Sequence, residues 1–161
     1  MKKVETIDSL LKILKKLKSK GKTVGFTNGC FDILHPGHIA YLENAGEYAD
    51  ILILGLNSDK SVRKIKGKSR PLVSEEDRAR VVSALEAVDY IVIFDEETPY
   101  QLIKAIKPDY LFKGADWKVD DVVGKDVVES YGGCVKSIPY LKKYSTTKLI
   151  RKIWKKSGCA L

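Results

Sequence analysis

A chain of 161 residues, 44% of them hydrophobic, is long enough to bury one core and too short for two large ones, so a single domain over 1–161 is expected. Lysine and arginine outnumber aspartate and glutamate by 29 to 21, a formal charge of +8, which suits nucleic acid, an anionic membrane surface or phosphorylated substrates without choosing among them. No apolar run approaches the roughly 20 residues of a membrane span, and residues 1–20 lack the h-region and cleavage site of a signal peptide, so a cytoplasmic protein is expected.

The first predicted element is an amphipathic helix over 4–20, with Val4, Ile7, Leu11, Leu14 and Leu17 on one stripe and Gly21 as its stop. Short apolar runs follow at Val24–Thr27, Ile51–Leu56, Tyr90–Phe94, Tyr110–Phe112 and Val135–Ile138; their brevity suits buried strands. Between them lie helical stretches at His38–Ala49, Ser61–Ile65, Glu75–Ala87, Pro99–Ile106 and Lys125–Tyr131, and Ser145–Lys155 closes the series. Ser74 before Glu75-Glu76-Asp77 reads as a capping box, and Thr98-Pro99 as an N-cap followed by proline at the first helical position.

Strand and helix alternate from residue 22 to 155, which predicts a Rossmann-like α/β fold: a doubly wound parallel sheet of five strands with right-handed crossovers. Ligands of such sheets sit beyond the C-terminal strand ends, where strand order reverses. An order 3-2-1-4-5 puts that crevice between strands one and four, beside the loops Thr27–Asp32 and Lys113–Trp117. Two phosphate-binding look-alikes fail. Gly21-Lys22-Thr23 and Gly67-Lys68-Ser69 resemble the end of a P-loop, but Lys16 and Val62 stand where its first glycine belongs. No GxGxxG follows the first strand either.

What does follow it is TNGCFDILHPGH, residues 27–38, which holds both histidines of the chain. Gly29 and Gly37 allow close backbone approach, Asn28 and Asp32 are polar groups at a strand end, and His38 would open a helix whose free N–H groups attract phosphate. Zinc is a poor reading: Pro36-Gly37 argues against a helix carrying His35 and His38 on one face, and no third ligand is evident. Cys30, Cys134 and Cys159 are odd in number and widely spaced, which fits reduced thiols and no metal site.

The chain resembles the HxGH nucleotidyltransferases through His35-Pro36-Gly37-His38 and a second motif, Ser145-Thr146-Thr147-Lys148-Leu149-Ile150-Arg151. Within them it is similar to the D-glycero-β-D-manno-heptose 1-phosphate adenylyltransferases. That likeness is carried by Asn57-Ser58-Asp59, Lys66-Gly67, Arg70-Pro71, Arg78, Ala84–Asp89, Thr98-Pro99, Pro108-Asp109 and Lys113-Gly114-x-Asp116-Trp117, and spans roughly residues 5–155.

The resemblance implies AMP transfer from ATP to a sugar 1-phosphate, giving ADP-heptose and pyrophosphate. The nucleophile is already an anionic oxygen, so the site must position groups and stabilise charge. By the same resemblance, His35, His38 and Lys66 are catalytic; Thr27, Asn28, Gly29, Phe31, Gly37, Lys113, Gly114, Ser145, Thr146 and Thr147 bind the nucleotide. Asp32, Asn57, Asp59, Arg70, Arg78, Asp116 and Trp117 serve the acceptor, with Arg70 and Arg78 on sugar phosphate or pyrophosphate and Asp32 on the acceptor or Mg2+. Asp32 also reads as a plain turn cap. Mg2+ would arrive with ATP, held by phosphate oxygens and water.

A glycerol-3-phosphate cytidylyltransferase or an FAD-type adenylyltransferase would differ only in base and acceptor. A nucleic-acid-binding module lacks a recognition helix, an aromatic RNA-binding signature or a zinc finger here. The expected partners are ATP and sugar 1-phosphate, a separate heptose kinase upstream, and a second copy of the chain, because the first helix carries an apolar stripe; no nucleic acid or membrane partner is expected.

Overall fold

The computed structural model describes residues 2–115, 119–139, 141 and 143–156; Asp116 and Trp117 lie outside them. Five parallel strands, β1 (Val24–Gly29), β2 (Ile51–Asn57), β3 (Tyr90–Phe94), β4 (Tyr110–Gly114) and β5 (Cys134–Ile138), form one sheet in the order β3-β2-β1-β4-β5. Successive side chains of a strand point to opposite faces, so each strand needs apolar residues on both. In β2, Ile53 joins one core with β1 residues Val24 and Phe26, whereas Leu52, Leu54 and Leu56 join the other with Phe112.

The first core is covered by α1 (Ile7–Lys18), α5 (Tyr100–Ile106) and α6 (Lys125–Ser130), through Leu10, Leu14, Leu102, Ile103, Ile106 and Val128. On the second lie α2 (Pro36–Gly46) and α4 (Glu75–Ser83), through Leu42, Ala45, Ala79 and Val82. The remaining helices, α3 (Asp59–Lys66) and α7 (Thr146–Lys156), flank the C-terminal strand ends with a 3-10 turn at Val119–Asp121. Carboxylates fasten the opposite end of the sheet: Asp109 accepts the Val24 N–H and Asp89 the Leu52 N–H, both at 2.7 Å.

Several boundaries differ from expectation for local reasons. The first helix starts at Ile7, because Thr6 caps it by accepting the Ser9 N–H, and Val4 instead forms a parallel bridge with Ile91. Leu10 and Leu14, with Leu10 in place of the predicted Leu11, are the buried residues of this helix, and its stripe packs into the core near α5; it is therefore not a free face for a second chain. Helix α4 ends at Ser83, and Ala84–Val88 turn so that Asp89 reaches β2. Pro99 is itself the N-cap of α5, a position assigned above to Thr98. The Ser74 cap is present, with Asp77 N–H donating to its Oγ at 3.2 Å. Strand β1 runs on through Asn28-Gly29, which pair with Gly55-Leu56 despite their polarity.

Candidate active site

The turn after β1 is fixed by close contacts. Phe31 has a left-handed φ of 45°, uncommon for a bulky residue, and its ring lies against Gly29, where a Cβ would stand 2.8 Å from Phe31 Cε2. The same ring packs against His38, centroid to centroid 5.0 Å. His35 is the N-cap of α2, and Pro36 and Gly37 are its first two residues. The helix opens at Pro36, two residues before the expected start at His38, because proline suits the first position, where its missing N–H would be unsatisfied anyway; His35 stays outside it in extended conformation. Gly37 is needed because a Cβ would meet His35 Nδ1 at 3.1 Å and Tyr144 Cβ at 3.2 Å.

The two imidazoles stack at 3.8 Å, nearly parallel. His35 Nδ1 accepts the His38 N–H at 3.3 Å, which places its proton on Nε2. His38 Nδ1 is buried without a hydrogen-bond partner among the described residues. Burial, and secondarily the neighbouring His35, push the His38 pKa down to about 4, and burial also lowers that of His35. Both rings are therefore neutral at pH 7 and act as N–H donors that take on charge only when an anion favours it. The α7 start lies beside them: Ser145 Oγ accepts the Lys148 N–H at 3.2 Å, and Thr146 Oγ1 donates to the Ile33 carbonyl at 3.3 Å. Two helix N-termini thus converge, an arrangement suited to phosphate.

A cavity of about 490 Å³ opens at this end of the sheet. Asn28, Gly29, Phe31, Asp32 and His38 line one side; Asn57, Lys66 and Arg70 line another; Lys113, Gly114, Thr146 and Thr147 complete it. Lys113 donates to Asn28 Oδ1 across the gap between β4 and β1. Other nominated residues stand behind this wall. Thr27 is buried with its hydroxyl 2.8 Å from Tyr41 Oη, and His35 supports His38 by stacking. Ser145 caps α7, and Asp59 is paired with Arg78 at 2.8 Å.

Arg78 departs furthest from expectation. It does not open into the crevice: its side chain is 0% exposed, and it donates to the carbonyls of Val73, Cys30 and Asn57 and to Asp59. A guanidinium can be buried only with its donors satisfied, and these carbonyls converge to satisfy it. Asp32 is likewise turned to protein groups, the Arg70 guanidinium and two backbone N–H groups.

Residues not nominated also line the cavity: Cys30, Tyr41, Ile65, Glu97-Thr98-Pro99 and Val123. Tyr41 follows His38 by three residues on α2, a helical spacing that could have marked it; Val123 had no such signal. Burial raises the Cys30 thiol pKa, so it is a poor nucleophile at neutral pH. The cavity thus gathers Lys66, Arg70 and Lys113 with neutral imidazoles and helix termini, groups whose chemistry suits anions.

The 3-2-1-4-5 sheet, with paired histidines at a helix start beside its switch point, is a Rossmann-like fold with a candidate anion site. The chain belongs to the cytidylyltransferase-like family, whose model matches residues 26–152. It is similar to bifunctional protein HldE of Geobacter metallireducens, 51% identical over 156 residues, which are 97% of this chain and 32% of that protein. HldE of Wolinella succinogenes is 56% identical over 146 residues, 91% of this chain and 30% of the relative. The chain therefore spans about a third of the length of these curated relatives. Among solved structures, a lipopolysaccharide core biosynthesis protein from Thermoplasma volcanium superposes with a TM-score of 0.62 at 30% identity, covering 75% of this chain and 98% of that one. A Francisella tularensis pantoate-beta-alanine ligase, 16% identical with a TM-score of 0.63 over 96% of this chain and 78% of its own, shares the fold. No helix among the described residues is long and apolar enough to cross a membrane.

Proposed function

We propose that this chain transfers AMP from ATP to D-glycero-β-D-manno-heptose 1-phosphate. The observation that carries the reading is the stacked, neutral His35–His38 pair beside the Thr146-Thr147 helix start, joined to a sequence likeness that runs nearly the length of the chain. An oxygen of the sugar phosphate attacks the α-phosphorus of ATP, the bond from that phosphorus to the bridging oxygen breaks, and pyrophosphate leaves with the electron pair. The incoming oxygen is already anionic, so no base has to take a proton.

The neutral imidazole of His38 donates a hydrogen bond to the polyphosphate as charge moves onto the leaving group, and His35 holds it by stacking. Lys66, the last residue of α3 and part of the cavity wall, supplies a positive charge to the transferring phosphoryl group, the kind of electrostatic stabilisation that dominates such chemistry. Asn28, Lys113 and Gly114 face the nucleotide. Mg2+ enters as part of MgATP, held by phosphate oxygens and water.

The substrate would be supplied by a kinase that phosphorylates the sugar's anomeric hydroxyl. A homodimer belongs to the same proposal, with the exposed Ile153 and Trp154 of α7 as the apolar face in place of the covered α1 stripe; a monomer by light scattering at micromolar concentration would overturn that part. Pyrophosphate release across a panel of nucleoside triphosphates and phosphorylated acceptors tests the whole reading. Turnover should be largest with ATP and heptose 1-phosphate. Preference for CTP and glycerol 3-phosphate would replace it with cytidylyl transfer.

A further inference from the structure

Asp32 makes three hydrogen bonds, all to the segment that follows α3. Its Oδ1 accepts the N–H groups of Leu72 at 2.8 Å and Val73 at 3.0 Å, and its Oδ2 accepts Arg70 Nε–H at 2.5 Å. The carboxylate side chain is only 1% exposed. From the other side, Arg78 Nε donates to the Val73 carbonyl at 3.0 Å, while its Nη1 holds Cys30, two residues before Asp32. Val73 is thus gripped at both ends, its N–H by a buried anion and its C=O by a buried cation. Residues 70–73 are buckled to the exit of β1.

Arg70 is engaged differently. Its Nε is bound to Asp32, but Nη1 and Nη2 have no partner among the described residues, and the side chain, 17% exposed, lines the cavity. A guanidinium held by one edge presents its other donors as a planar fork, the geometry that recognises a phosphate bidentately. The histidine side already offers two helix N-termini, tied together through Thr146 and Ile33, as a seat for the triphosphate. Arg70 hangs from the separate 67–73 segment.

We infer that Arg70 receives the phosphate of the acceptor and that Asp32 is its positioning residue, neither a ligand of the sugar nor a ligand of Mg2+. The carboxylate fixes the guanidinium plane before the acceptor arrives and partly neutralises it, so the fork is oriented in advance. Three of its roughly four acceptor sites are already taken and its side chain is only 1% exposed, so Asp32 offers a metal little access. This inference rests on the nucleotidyl-transfer reading, but its test separates the two.

The decisive variant is Asp32→Asn, which keeps an oxygen for the loop N–H groups and turns an amide NH2 toward Arg70 Nε, donor against donor. With the acceptor that best supports pyrophosphate release, its KM should rise roughly 10- to 100-fold while the KM for ATP and the Mg2+ half-saturation stay within about twofold. Arg70→Lys should raise the same KM, and the double variant should be no worse than Arg70→Lys alone. A matching rise in ATP KM or Mg2+ requirement, or additive effects in the double variant, overturns the inference. So does an unchanged acceptor KM.

A second readout needs no turnover. In nitrogen-15 spectra of the whole protein, Arg70 Nε–H should be protected from exchange at neutral pH, and its neighbouring Nη resonances should respond to inorganic phosphate. Asp32→Asn should abolish the protection; the signal is assigned by its loss in Arg70→Lys, which keeps the Asp32 carboxylate and guards against a folding failure of the first variant. If no acceptor in the panel is turned over, the proposed function fails on its own. An unprotected Nε–H in the wild type would overturn the clasp.

Discussion

The cavity has two walls held in opposite ways. The histidine wall, made by Phe31, His35 and His38, is fixed by ring contacts and by glycines that leave room for them, and its imidazoles are neutral. The wall made by residues 70–73 is fixed by two buried ions, Asp32 and Arg78. Neutral donors can take up charge as it develops during reaction, whereas a permanently charged, pre-aimed guanidinium suits an acceptor that arrives already anionic. On this contrast, damage to the first wall should appear in the chemical step and damage to the second in stability and acceptor binding.

The largest effect should come from Arg78→Met. It leaves buried carbonyls of Val73, Cys30 and Asn57 without their donor, and breaking a buried, charge-assisted network costs about 3–5 kcal/mol. At roughly 2–4 °C per kcal/mol for a domain of this size, Tm should fall by about 10 °C. A drop of only one or two degrees would mean the charged wall is held by something else.

Next in size is His38→Ala, for which kcat should fall about 10²–10³-fold, the scale for losing one transition-state donor, with Tm nearly unchanged. A wild-type rate would remove His38 from the chemistry. Gly29→Ala should be milder. The added methyl meets the Phe31 ring at 2.8 Å, and overpacking of this kind costs about 1–3 kcal/mol. Because Phe31 supports His38, kcat should drop alongside Tm; loss of stability with full kcat would show that the rings are not mechanically linked.

The smallest effect is on pH dependence. With the His38 pKa lowered to about 4, kcat/KM for ATP should be level from pH 6 to 8 as far as this ring is concerned. A one-proton decline through pH 6.5 would instead require an imidazolium in the free enzyme. Stability carries the matching sign. A buried neutral histidine binds fewer protons than its unfolded counterpart, so stability is complete above about 6.5 and declines as pH falls toward 4. Thermal melts across that window should show the decline, and His38→Asn should flatten it.

The histidine wall was readable in the sequence because its parts are contiguous: glycines, histidines and an aspartate cluster within residues 27–38. The sheet was readable because parallel strands buried on both faces appear as unbroken apolar runs; residues at strand ends were missed, among them Asn28-Gly29 of β1, Asn57 of β2, Lys113-Gly114 of β4 and Cys134 of β5. The charged wall was not. Arg78 sits in Glu-Glu-Asp-Arg-Ala-Arg and reads, through the resemblance, as a contact to the acceptor or pyrophosphate, whereas its burial depends on carbonyls contributed by residues 30, 57 and 73. Asp32 read as a turn cap or a ligand because its partners lie 38 to 41 positions away.

An open parallel sheet has two outer strands, and unpaired strand edges invite other chains to add on. Here the β3 edge is occupied at Ile91, whose N–H donates to the Lys3 carbonyl and whose carbonyl accepts the Glu5 N–H around the Val4 bridge. The β5 edge is guarded by charge, with Lys136 at mid-strand and its ammonium 5.8 Å from the Tyr48 ring centre. Residues 3–5, which contribute nothing to the cavity, thus act as a selvage that closes the sheet against growth by further strands.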